Sequence, residues 1–199
     1  MIKNVIFDIG NVLTDFRWKG FLEDKGFSGE ILDRIAKASV LSPVWPELDR
    51  GVWSFEEVMA GFIKNAPELE KELHQAFDDM TDIVTIRDFA IDWIKELKAK
   101  GFSVYYLSNF SEKIERECEA ALVFRSETDG GILSWMDRLI KPDPAIYQLL
   151  LDRFGLKADE CVFIDDTKVN IEAGEALGIH GIVYRSLEQV CQDLDALVS

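Results

Sequence analysis

Residues 4–13 read NVIFDIGNVL: the apolar side chains of Val5, Ile6 and Phe7 run without a break to a carboxylate at Asp8, and Gly10 follows. A short run that is apolar at every position is the pattern of a strand covered on both faces, as in a parallel sheet. Its last residue carries a charge that cannot follow the run into the core. A second stretch, CVFIDDT at 161–167, repeats the arrangement with two carboxylates, Asp165 and Asp166. In parallel sheets ligands bind beyond the carboxyl ends of the strands, so acids that end two such strands are expected on one rim.

Outward from these two strands the chain changes texture twice. From about 16 to 85, the segments SGEILDRIAKAS, SFEEVMAGFIKNA and PELEKELHQAFDDM carry apolar residues at helical spacing, with Ser28, Ser54 and Pro67 where helices start. After that block, helix and strand patterns alternate. IRDFAIDWIKELKAKG is an amphipathic helix closed by Gly101, FSVYYLSN a strand, SEKIERECEAA a helix and ALVFRSE (121–127) a short strand. DPAIYQLLLDRFG is a helix closed by Gly155, CVFID a strand, KVNIEAGEALG a helix closed by Gly178, and HGIVY the last strand. Strands separated by helices of this length indicate an α/β, doubly wound parallel sheet. Residues 1–15 and 86–199 are expected to form that core, and 16–85 an all-helical insertion after the first strand.

Composition narrows the role. A chain of 199 residues can bury roughly 70% of its unfolded surface, enough for its own core. The formal charge of −15 opposes binding to nucleic acid and to acidic membranes, and no eighteen-residue apolar stretch is present to span a bilayer. The apolar run in the opening MIKNVIFDIG breaks at Asp8, too early for a secretory signal, so a cytoplasmic protein is expected. Cys118, Cys161 and Cys191 are widely spaced and odd in number, which suits reduced, packed thiols rather than a disulfide framework or a zinc site. A small-molecule partner is favoured, and oligomeric state leaves no trace in the sequence.

The strand ends assemble a definite chemistry. Asp8 ends the first strand, Ser108 and Asn109 end the strand FSVYYLSN, Asp165 and Asp166 end CVFID, and Lys141 of IKPDPAIY precedes a helix that starts at the same rim. Carboxylates crowded together repel and need a cation, and an all-oxygen donor set selects a hard ion such as magnesium. A free oxygen on Asp8 is then placed to attack phosphorus, giving an aspartyl-phosphate that water hydrolyses. The cation, Lys141 and Ser108 would balance charge on the transferred group.

The ordered set FDIGNVL, YYLSNF, IKPDPAIY and VFIDDTKVNIEAGEALGI resembles the four motifs of the haloacid dehalogenase superfamily of hydrolases, and spans nearly the whole chain. The resemblance implies a Rossmann-like core, Asp8 as nucleophile, Ser108 and Asn109 as phosphate contacts, and Lys141 as the cation between nucleophile and phosphate. It implies Asp165 as the main magnesium ligand, with Asp166 and the Gly10 carbonyl supporting. Residues 16–85 sit where this family carries a mobile helical cap. In one respect the sequence departs from the pattern. Family phosphatases usually carry a second aspartate, the general acid and base, where this chain has Gly10. FDIGNVL is similar to a bacterial subgroup that includes α-D-glucose-1-phosphate phosphatases, whose anomeric leaving group needs less protonation. Asp15, or a water held by Asn11, is expected to stand in for the missing acid.

The leading expectation is therefore a magnesium-dependent phosphatase acting on a small phosphorylated metabolite, a sugar phosphate in particular. The alternatives are a dehalogenase, which the paired Asp165 and Asp166 argue against, and a weakly active module that binds a phosphate ligand. Trp18 and Trp45 are the aromatics best placed to stack on a substrate; Asn170 either orients a metal ligand or caps the helix that follows. His74 and His180 carry no assignment.

Overall fold

The computed structural model describes residues 1–198. In chain order the elements are β1 (Asn4–Phe7), β2 (Thr14–Phe16), α1 (Trp18–Asp24), α2 (Gly29–Ala38), α3 (Trp45–Arg50), α4 (Phe55–Asn65), α5 (Glu70–Phe77), β3 (Val84–Ile86) and α6 (Ala90–Ala99). There follow β4 (Ser103–Ser108), α7 (Glu112–Glu117), β5 (Gly130–Leu133), α8 (Ser134–Asp137), α9 (Pro144–Phe154), β6 (Cys161–Asp165), α10 (Lys168–Glu175), β7 (His180–Val183) and α11 (Leu187–Val198). No helix among the described residues is long and apolar enough to cross a membrane.

Five strands form a parallel sheet in the order β5-β4-β1-β6-β7. The chain builds outward from β1 to one side, then crosses to β6 on the other, so strand order reverses at β1 and the binding crevice opens over its carboxyl end. Alternate residues of β1 feed two separate cores. Val5 and Phe7 pack with Trp93, Val104, Val162 and Ile164, whereas Ile6 packs with Leu107, Tyr147 and Phe163. Both faces of β1 are thus dry, which is why its sequence is apolar at every position. The register pairs Phe7 with both Tyr106 and Ile164, so Asp8 stands level with Asp165 and one step short of Ser108.

Helices α1–α5 lie between β1 and α6 in the chain and add an aromatic cluster to the core that Val5 and Phe7 share. Trp45 stacks on Phe62 at 6.2 Å between centroids, and Phe62 meets Phe77 at 5.6 Å. Burying one such side chain contributes about 1.5–3 kcal/mol. Ser28 occupies the N-cap position of α2, and Ser54 heads α4 in a capping box in which it and Glu57 satisfy each other's backbone N–H. Pro67 opens a short 3₁₀ turn leading into α5. The ends of this block are not helical, contrary to expectation: Phe16 lies in β2 and Val84 and Thr85 in β3, which pair antiparallel as a two-stranded ribbon. Strands of three residues are too short to show a period of two.

The stretch 121–127 is also not the strand expected. Residues Glu119–Glu127 form a 3₁₀ helix, and the edge strand is Gly130–Leu133 instead. A strand would have sent Ala121, Val123 and Arg125 to one face. In the structure Ala121, Leu122 and Phe124 are buried, Val123 is exposed, and Arg125 turns out to bond Glu115. That grouping is helical. The C-terminal helix α11, which packs Val190 and Leu194 into the core, was not read from the sequence.

Candidate active site

The rim above β1 gathers the acids that the strand ends implied. Asp8 is nearly buried, and its Oδ1 accepts from the Ile9 N–H at 2.7 Å and from the Ser108 hydroxyl at 2.7 Å. The Lys141 ammonium lies 2.9 Å from the same oxygen and 2.6 Å from Oδ2 of Asp165, bridging the two carboxylates. No described residue donates to Asp8 Oδ2. Asp165 is fully buried and held on all sides: the Thr167 N–H reaches Oδ1 at 2.7 Å, and the Asn170 amide donates to both oxygens. Asn170 therefore orients the Asp165 carboxylate and does not take the N-cap position of α10, which is Thr167. The Asn170 backbone carbonyl accepts from the Tyr147 hydroxyl at 2.8 Å.

Asp166 accepts from the Asn11 amide at 2.9 Å and from the Thr167 hydroxyl at 3.1 Å. Asn11 sits in the left-handed region, φ 57°, and this turns its side chain across the rim to the acid. Asn109 and Lys141 clamp each other: the Asn109 amide donates to the Lys141 carbonyl at 3.0 Å and accepts from its N–H at 2.8 Å. That exchange fixes the loop whose ammonium reaches the acids.

Electrostatics strain this cluster. Burial pushes the Asp8 carboxyl up to about 7, against the lowering pull of Lys141 and with a further push from Asp165. Burial alone would lower Lys141, but Asp8 and Asp165 outweigh it and hold it above the usual lysine value. With Asp8, Asp165 and Asp166 ionised, one ammonium faces three carboxylates, so a cation is wanted. One oxygen from each acid lies within 4.8 Å of the others, an all-oxygen set suited to a hard divalent ion.

A cavity of about 210 Å³ opens over the cluster, with Asp8, Gly10, Asn11, Asn109 and Lys141 on its floor. The α1–α5 side supplies Trp45 and Asp49, and Phe16 and Val84 come from the β2–β3 ribbon. Every site residue read from the sequence lies at this cavity or, for Asp165, directly beneath it. Two lesser expectations do not hold. Asp15 does not line the cavity: its carboxylate is taken by the Arg87 guanidinium at 2.7 Å, as part of the ribbon. Trp18 packs against the apolar core instead, leaving Trp45 as the aromatic at the site.

Sequence reasoning missed Thr167 and Asp49. The place of Thr167 directly after two strand-end acids was the available signal. Asp49 carried none, being one of 37 acidic residues. It lies in the last turn of α3, and burial together with the nearby Asp8 carboxylate pushes it up to about 7, against the pull of Lys141.

The sequence pattern of haloacid dehalogenase-like hydrolases matches residues 2–178. Among curated relatives, the chain is 27% identical to mouse acyl-CoA dehydrogenase family member 10 over 98% of its own length, but spans only 19% of that protein. It is 26% identical to the sesquiterpene phosphatase astK of Aspergillus oryzae, covering 98% of this chain and 96% of the relative. It is 28% identical to D-ribitol-5-phosphate phosphatase of Bacteroides thetaiotaomicron, covering 89% of each. The same fold occurs in a haloacid dehalogenase family enzyme from Bacteroides thetaiotaomicron solved as a magnesium complex. The TM-score is 0.73 at 20% identity, over 97% of this chain and 98% of that one.

Proposed function

The chain belongs to the haloacid dehalogenase-like hydrolases, and we propose that it is a magnesium-dependent phosphatase of a small phosphorylated metabolite, working through an aspartyl-phosphate on Asp8. One observation carries the reading: Asp8 has one oxygen pinned by three donors and the other free of hydrogen bonds, at the floor of a cavity, beside two more acids. A carboxylate held this way cannot rotate its free oxygen away from an incoming phosphorus. Asp8, Asp165 and Asp166, with the Gly10 carbonyl, are the residues to hold magnesium. The bound ion supplies the positive charge that lets a phosphate dianion enter so acidic a site.

The chain's own residues do the rest. Lys141 keeps Asp8 and Asp165 in place and offsets charge on the phosphoryl group as it transfers, and Asn170 and Thr167 keep Asp165 from turning. Ser108, whose hydroxyl holds Asp8 Oδ1, and Asn109, whose amide holds the Lys141 loop, line the cavity where the phosphoryl oxygens would lie, and Asn11 holds Asp166 on the same rim. Residues 16–85 act as the cap, the β2–β3 ribbon joining it to the core, and closure shields the site from bulk water while the positioned water attacks. Trp45 and Phe16 offer apolar faces suited to the carbon skeleton of a sugar, and one relative is a D-ribitol-5-phosphate phosphatase by name. A sugar phosphate is therefore the substrate class put forward, in a small-molecule enzyme of the cytoplasm.

The test is phosphate release from a panel of sugar phosphates, α-glucose-1-phosphate and ribitol-5-phosphate included, with magnesium or with chelator, by wild type and Asp8→Asn. Expected is release that needs magnesium and is lost in Asp8→Asn by a factor of about 10³ or more, as for removal of a covalent nucleophile. Release that persists in Asp8→Asn would refute the assignment.

A further inference from the structure

We infer that Asp49, reaching across from α3, is the general acid that protonates the leaving oxygen and then the general base that activates water. The inference rests on the phosphatase reading above and completes it. An alkoxide expelled from phosphorus needs a proton, and the floor of the cavity has none to spare. Lys141 is bound to two carboxylates, Asp165 is bonded on both oxygens, and Asp166 is held by Asn11 and Thr167. At position 10 there is no side chain at all. Asp49 differs from each of these: it lines the cavity, and among the described residues its carboxyl has neither a hydrogen-bond nor an ion-pair partner.

The carboxyl is nevertheless held in place through its backbone. The Ser134 hydroxyl donates to the Asp49 carbonyl at 2.5 Å, and the same Ser134 oxygen accepts from the N–H of Phe110 at 2.9 Å, just beyond Ser108 and Asn109. Gly51, two residues on, turns with φ 67° and rests so close to Trp135 that a Cβ there would lie 2.7 Å from the Trp135 carbonyl. Trp45 at the start of the same helix is anchored on Phe62 and Phe77. The last turn of α3 is thus registered to the loop that bears the phosphate contacts. Burial pushes the Asp49 carboxyl up from the ordinary carboxylate value, toward the range that suits a general acid.

The steps balance. Asp8 Oδ2 forms a bond to phosphorus as the bond from phosphorus to the leaving oxygen breaks, and the electron pair left on that oxygen takes the Asp49 proton, releasing an alcohol. Asp49, now a carboxylate, removes a proton from water. The water oxygen bonds to phosphorus, the bond to Asp8 breaks with its electron pair returning to the carboxylate, and phosphate leaves with Asp49 protonated again.

The experiment compares wild type, Asp49→Asn and Asp49→Ser with a sugar phosphate and with p-nitrophenyl phosphate, whose leaving group departs without a proton. The first turnover is followed by rapid mixing. Expected for Asp49→Asn is a loss of about 10²- to 10⁴-fold in cleavage of the sugar phosphate, the usual weight of a general acid. With p-nitrophenyl phosphate the first nitrophenolate is released with far less loss, followed by slow turnover as the phospho-enzyme accumulates. Gly10→Asp, which meets no atom within 4 Å at the Cβ position, should recover part of the sugar phosphate rate when added to Asp49→Asn. Equal losses on the two substrates in both variants, or no loss, would overturn the role of Asp49 while leaving the phosphatase reading intact. Absence of any Asp8-dependent release by wild type would overturn both.

Discussion

At the scale of single residues the site is organised by Lys141, whose ammonium is almost wholly buried between Asp8 and Asp165. Breaking a buried ion pair by removing one partner costs about 3–5 kcal/mol, because the remaining charge stays without compensation. Lys141→Met should therefore lower the unfolding free energy of the metal-free protein, obtained from its denaturant midpoint and slope, by an amount in that range. Magnesium should restore more stability to the variant than it adds to wild type, since it would then be the only cation among the acids. Equal gains in the two proteins, measured by unfolding with and without the ion, would mean that Lys141 is not what balances Asp8 and Asp165. Asp8 and Asp165 were legible because each sits at the end of an apolar strand, where a charged side chain has nowhere else to go, and Lys141 because it shortly precedes a helix that starts at the same rim. Asp15 and Asp49 were not, because their fates are decided by partners distant in sequence. Arg87, 72 residues away, draws Asp15 into the ribbon, while Ser134, 85 residues away, ties down the backbone of Asp49.

Secondary-structure elements divide in the same way between local and tertiary causes. The capping box at Ser54 is written in the sequence as S-x-x-E, and its bonds form as written, at 2.7 and 3.2 Å. Ser54→Ala should cost about 1 kcal/mol, read as a shift in the urea midpoint, with the effect confined to stability. The edge strand β5 has the opposite character. Its sequence GGIL has poor strand propensity, and it forms because Tyr106 of β4 needs a neighbour with no side chain: a Cβ on Gly131 would lie 2.4 Å from the ring. Gly131→Ala should therefore destabilise by about 1–3 kcal/mol, as overpacking does, although alanine is the better residue for most backbones. A Tyr106→Leu change in the same chain should relieve much of that penalty, and additive losses in the double variant would argue against the clash. The 3₁₀ helix before β5 was misread for a related reason, since Val123 and Phe124 favour a strand locally and only the burial of Leu122 and Phe124 together selects the tighter turn.

Across the whole molecule, residues 16–85 are fastened to the rest of the chain by more than apolar contact. The Lys113 ammonium donates to the Asp78 carbonyl at 2.8 Å and pairs with Glu117 at 2.7 Å, over the ring of Phe55 at 4.4 Å. Glu117 also accepts from the Met80 N–H at 2.8 Å. The cavity thus lies in a chain of formal charge −15, and among the described residues the one ammonium lining it, that of Lys141, is buried against acids. A phosphorylated substrate must approach this field as an anion, so long-range electrostatics should slow its capture, the reverse of the steering seen where charges are complementary. Salt shortens the reach of that repulsion, from about 30 Å at 0.01 M to about 10 Å at 0.1 M ionic strength. With magnesium kept saturating, kcat/KM should rise severalfold over that range while kcat stays nearly constant, because the buried contacts of Asp8, Lys141 and Asp165 are screened little. A neutral osmolyte at matched viscosity should give no such rise. A kcat/KM that falls as sodium chloride is added would mean that the bound cation, rather than the acidic surface, governs the field at the mouth of the cavity.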